Sequence, residues 1–197
     1  MTRILLIAAA SVVIAGCGSP PTPRFYTLSP QASTTVAAAA TAERPRIRVG
    51  PVSLPEAVNR PQFVTRTSAT EVAIAEQHRW AGPLKDEVPR TLASDLVRLT
   101  GNLQVAADPF AAATSVDYRV TVDFQRFEGV LGGDVVLEAL WTVRAINGDT
   151  VATGRSDVRE AAGTAGYDAL AAAYGRALSK LADSIAPALK ELPAVKL

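Results

Sequence analysis

The run Val116-Asp117-Tyr118-Arg119-Val120-Thr121-Val122-Asp123-Phe124-Gln125 alternates apolar and polar residues at every step, the two-residue period of a strand with one dry and one wet face. Its continuation repeats the signal. Val135 to Ile146 sets Leu137, Ala139, Trp141 and Val143 on one face and Leu140 and Ile146 on the other, which predicts a central strand. Asn147-Gly148 follows, the strongest short hairpin signal in the chain, and Thr150 to Val158 completes a three-stranded meander. Leu103 to Ala106 reads as a short strand ahead of it.

Two helical patterns flank the meander. Leu84, Val88, Leu92, Leu96 and Leu99 recur at helical spacing, with Pro83 at the first turn and Gly101 as the stop. Pro89 inside this pattern predicts a kink or a true start near Val88. Later, Leu170, Tyr174, Ala177, Leu181, Ile185 and Leu189 form one apolar stripe, with Thr164 as the expected cap and Pro187 as a kink or an end. Upstream, Phe25 to Leu28, Arg46 to Val52, Gln62 to Thr67 and Glu71 to Glu76 read as strands, the last two as a hairpin, with one helical turn at Leu54 to Asn59. The order of elements predicts an α+β fold, a mainly antiparallel sheet packed against two helices.

The N-terminus carries a different signal. Arg3 precedes an apolar run from Ile4 to Ala15 that ends in small residues, the layout of a secretory signal peptide. A spanning helix needs roughly 20 apolar residues; this run is shorter, and Pro20, Pro21 and Pro23 follow it. Ile14-Ala15-Gly16-Cys17 resembles the bacterial lipoprotein box, and Cys17 is the chain's one cysteine. The resemblance implies removal of residues 1–16, diacylglycerol on the thiol and an N-acyl chain on the new terminus. Gly18, where an aspartate would signal inner-membrane retention, implies the periplasmic face of the outer membrane. Residues 17–24 then form a Pro-rich tether of about 20 Å, and 25–197 one domain with a flexible loop near 29–45.

Composition narrows the function classes. The chain has 20 basic and 19 acidic side chains; with Arg3 alone charged in the removed segment, the remainder is balanced, unlike a nucleic-acid binder. One His and a lipid-bound Cys leave no Cys/His zinc site, only a carboxylate site for a harder ion. His78 stands in no recognisable pattern and reads as a surface residue, no Gly-x-Ser-x-Gly or phosphate loop occurs, and a carboxylate-pair enzyme stays open. With 48% apolar residues, a core can hold the fold without disulfides.

Several stretches resemble the PqiC-type (YmbA-like) ABC-type transport auxiliary lipoproteins. They are Cys17 followed by Ser19-Pro20 and Phe25-Tyr26-Thr27-Leu28; Val49-Gly50-Pro51-Val52 with Leu54-Pro55; Arg60-Pro61-Gln62-Phe63-Val64-Thr65-Arg66; and Arg79-Trp80-Ala81-Gly82-Pro83-Leu84. The fold order also admits a TolB N-terminal-like architecture. The resemblance implies an outer-membrane lipoprotein subunit of an MCE-type intermembrane lipid transport system. It would be a homo-oligomeric docking or receptor component for an MCE-domain tunnel protein that is tied to an inner-membrane component. It implies no catalysis and no cofactor beyond the lipid on Cys17. The alternative is a stand-alone periplasmic carrier of lipid or another apolar ligand, with its pocket between sheet and C-terminal helix.

The candidate partner-binding residues are Arg60, Gln62, Arg66, Trp80, Val130 and Leu131. Arg60 and Arg66 suit partner carboxylates or lipid phosphates; the alternative is that Arg60 and Gln62 cap loops and Arg66 is a solvated strand residue. Trp80 is an interface anchor or plugs the end of a core, whereas Trp141 reads as core. Val130 and Leu131, in the glycine-rich tip between Glu128 and Asp134, form an exposed apolar contact or fold back.

Overall fold

The computed structural model describes residues 22–30, 44–108 and 116–193. The signal segment, Cys17 and most of the loop near 29–45 lie outside the described residues. Among the described residues, eight strands and two helices follow in the order β1 (Arg24–Tyr26), β2 (Ile47–Ser53), β3 (Gln62–Arg66), β4 (Val72–Trp80), α1 (Leu84–Thr100), β5 (Val105–Ala107), β6 (Tyr118–Gly129), β7 (Asp134–Ala145), β8 (Thr150–Ala161) and α2 (Tyr167–Lys190). The fold is α+β, as the order of elements predicts.

The meander forms as expected. β6, β7 and β8 pair antiparallel, with Val122 opposite Trp141 and Trp141 opposite Gly154. Gly148 takes φ 96° at the hairpin. The strands outrun the sequence pattern because the register of β6 shifts between Phe124 and Arg126. The extra residue lets Phe124 and Phe127, three apart, enter the same core; their rings meet edge-on at 5.4 Å. β7 is internal, between β6 and β8, rather than the middle strand of the five, and Leu140 on its second face and Ile146 just past its end are exposed.

What periodicity does not convey is the division into two sheets with parallel joints. The orders are β5-β2-β6-β7-β8 and β1-β4-β3. β2 runs parallel to both β5 and β6, and β1 parallel to β4. Parallel neighbours need a long crossover: from β2 to β5 and β6 it runs through α1, and from β1 to β4 through β2 and β3. Arg46 to Val52 alternates polar and apolar, the pattern of a half-buried strand, yet Ile47 to Gly50 are all buried, Arg48 included.

Both helices pack with the larger sheet: α1 against β2 and β5, α2 against β7 and β8, and the two against each other. All six stripe residues of α2 are buried, and each of its leucines and its isoleucine stabilises by about 1.5–3 kcal/mol. α1 starts at Leu84 and includes Pro89, which corrects one of the two expected alternatives, the start near Val88. The carbonyl deprived of a donor belongs to Lys85, an exposed residue that water can serve. Gly101 ends the helix in the left-handed region at φ 65°. Thr164 does not cap α2: Gly166 holds that position, and the helix passes Pro187 to end at Lys190.

The segment after the proposed tether is fastened to this frame. The amide of Ala81 donates to the Tyr26 carbonyl at 2.8 Å, and the Leu28 amide to Glu87 Oε2 at 3.0 Å. Leu28 is buried. Ser29 crosses α2 so closely that a Cβ on Gly175 would lie 2.5 Å from its carbonyl oxygen.

Candidate functional site

The proposed docking residues fall on three places. The first is a surface cleft of about 410 Å³ where the chain enters β3 and leaves β4 for α1. Pro61 and Pro83 restrict the backbone on either side, and the Trp80 amide donates to the Pro61 carbonyl at 2.7 Å, joining the two segments. Trp80 and Leu84 form the buried floor. Arg60 and Lys85 stand exposed on the rim, and neither has an ion-pair or hydrogen-bonded side-chain partner among the described residues. Two cations over an apolar floor can accept an acidic group carried by an apolar segment.

Trp80 belongs to the core more than to the rim. It is 5% exposed, stacks on Phe63 at 4.0 Å and meets Tyr174 edge-on at 5.8 Å. Gln62 does not cap a loop; its amide donates to Glu76 Oε2 at 3.2 Å. His78 is half-buried, with Nδ1 2.7 Å from the Tyr26 hydroxyl and its ring stacked on Tyr167 at 3.9 Å, a partnership between residues far apart in sequence.

Arg66 occupies the second place, a ladder of charges over the uncovered face of the larger sheet. Its Nε donates to Glu128 Oε2 at 2.9 Å. Arg126 bridges Glu128 and Glu138, each at 2.8 Å, and Arg155 reaches Glu138 at 3.2 Å. The hydrogen bond from Arg66 and the charge of Arg126 hold the Glu128 carboxyl below its ordinary value of 4.5. Arg66 is thereby committed within the fold and separated from Arg60.

The third place is the tip between β6 and β7. Val130 and Leu131 are each 41% exposed, and the turn is closed by Gly133 donating to the Val130 carbonyl at 2.9 Å. The apolar pair therefore faces outward. The interior below is filled: Phe127 and Tyr174 stack at 4.7 Å, with Leu170, Leu178, Leu181 and Ile185 fully buried around them. Burial, and then the nearby Glu128 charge, push the Tyr174 phenol up. Among the described residues no group of three His, Cys, Asp or Glu is placed to hold a metal ion, and no helix is long and apolar enough to cross a membrane.

A family model described as "ABC-type transport auxiliary lipoprotein component" matches residues 26–186. The chain belongs to this family. Among curated proteins, this auxiliary lipoprotein is 26% identical over 189 residues to the intermembrane transport lipoprotein PqiC of Escherichia coli K12, covering 95% of this chain and 98% of that one. The same figures hold for PqiC of Shigella flexneri. Among solved structures, a Xanthomonas campestris protein aligns with TM-score 0.65 at 18% identity, over 84% of this chain and 95% of that one. A second, uncharacterised protein aligns with TM-score 0.66 at 19% identity, over 84% and 97%. These structural likenesses speak to the fold alone.

Proposed function

We propose that this auxiliary lipoprotein is the outer-membrane subunit of an MCE-type intermembrane lipid transport system. In this reading residues 1–16 are removed and Cys17 carries diacylglycerol and an N-acyl chain. Residues 17–24 tether the domain 25–197 to the periplasmic face, where it works as a homo-oligomer and without catalysis. Two or three acyl chains anchor a protein durably where one does not. The observation that carries the reading is the end-to-end match to an intermembrane transport lipoprotein. The filled interior beneath α2 favours a docking role over a stand-alone carrier, which needs an apolar chamber.

The docking surface is the cleft whose rim carries Arg60 and Lys85, with an MCE-domain tunnel protein supplying the acidic group. The test is co-purification of that protein with tagged wild-type chain and with Arg60→Glu, an exposed change that leaves the core untouched. The wild type should retain the partner and Arg60→Glu should lose most of it. Equal retention by both removes the cleft from the account; no retention by the wild type removes the partner.

A further inference from the structure

Three arginines stand side by side on the face of the larger sheet that the helices leave uncovered. In β2, Arg48 is paired in register with Arg119 of β6, and Arg119 is directly opposite Arg144 of β7. Directly opposed residues project from the same side of a sheet with Cβ atoms about 4.5–5.5 Å apart, and like charges so placed are destabilising. Arg48 is buried and engaged within the fold. Arg119 bonds Asp108 and the Gly50 carbonyl, the latter at 3.2 Å. Arg144 is exposed, with no ion pair or hydrogen bond to its side chain among the described residues.

Two further acids fall on the same phase of this stretch, Asp117 and Asp123, and Asp123, two rows beyond Arg119, accepts from Gln125 Nε2 at 2.8 Å. The acid nearest in sequence on this face, Asp117, is taken up by Arg46, with Nε at 3.2 Å and the Arg46 amide at 2.7 Å. The next row on the same face is Thr121 opposite Thr142, two half-buried hydroxyl residues. The contrast with the other end of the face is informative, because there each arginine of the Glu128 and Glu138 ladder has its carboxylate.

We propose that the Arg119 and Arg144 pair, flanked by Thr121 and Thr142, binds a phosphate group. Asp108 takes one donor of Arg119, Nη1, which the Gly50 carbonyl shares, whereas a tetrahedral phosphate offers oxygens to the donors of two guanidinium groups and to neighbouring hydroxyls. The phosphate can come from a phospholipid headgroup or from free phosphate. The site is separate from the Arg60 cleft and does not depend on the partner assigned there.

The experiment uses the full chain in non-ionic detergent, with thermal stability and titration calorimetry read at matched ionic strength. The probes are inorganic phosphate and dihexanoylphosphatidylglycerol, with chloride as reference. Arg144→Gln should weaken binding roughly tenfold, the loss of one charge-assisted contact. Arg159→Gln, equal in charge change but paired with Asp134 at 2.9 Å, should bind as the wild type does. A response to inorganic phosphate alone assigns free phosphate, and a response to the phosphodiester assigns a lipid headgroup. If neither probe acts differently from chloride, or if Arg144→Gln responds like the wild type, the site does not exist.

Discussion

Replacing Gly175 with alanine sets two effects against each other, and the sign of the outcome tests how the segment behind the tether is held. In mid-helix, glycine to alanine gains about 1 kcal/mol of helix propensity. Here the new methyl would lie 2.5 Å from the Ser29 carbonyl oxygen, so the backbone of residues 27–30 must move off α2. That movement endangers the burial of Leu28, which is 7% exposed and contributes about 1.5–3 kcal/mol. It also endangers the bond from the Leu28 amide to Glu87 at 3.0 Å, a charge-assisted contact of about 1.5 kcal/mol. The expected result is a net loss of about 1–3 kcal/mol, or about 2–4 °C in Tm per kcal/mol for a chain of this size. Urea unfolding and amide exchange at Leu28 read both terms. A gain near 1 kcal/mol with unchanged protection of the Leu28 amide would refute the reasoning.

Other outcomes follow from single contacts. A Cβ on Gly154 would lie 2.3 Å from the Trp141 ring, whose Nε1 is held by Ser156 at 3.2 Å; Gly154→Ala should cost about 1–3 kcal/mol and shift tryptophan emission. Because the folded state holds the Glu128 carboxyl below 4.5, chiefly through Arg66, its contribution is present above pH 4.5 and lost as the pH falls through the lowered value. Glu128→Gln should therefore flatten the acid limb of the stability profile, measured by urea midpoints between pH 6 and pH 3. Leu131→Ser at the exposed tip should leave stability, read from a thermal melt, within about 0.5 kcal/mol of wild type, whereas Leu181→Ser on the buried face of α2 should abolish folding.

The elements with strong local periodicity were legible. The meander carried its own register through Asn147-Gly148, and the stripe of α2 is continuous from Leu170 to Leu189. The parallel partners of β2 were not legible, because Ile47 meets Val105 and Tyr118 only after α1 has returned the chain. The site was legible in part. Arg60 lies exposed on the cleft rim, Arg66 had a hidden partner in Glu128, 62 positions away, and Trp80 took the core alternative. The Arg119 and Arg144 pair was missed, although both lie on the wet phase of their strands. Only the register of β6 against β7, set by the tip and by the bulge between Phe124 and Arg126, brings them opposite each other.

The central claim is that this auxiliary lipoprotein works from a lipid anchor at Cys17. Intact mass spectrometry of the chain recovered from the membranes of its own cells tests it directly. The account expects a polypeptide that begins at Cys17 and carries the added mass of diacylglycerol and an N-acyl chain. A chain that retains residues 1–16, or one that begins at Cys17 without lipid, would contradict it.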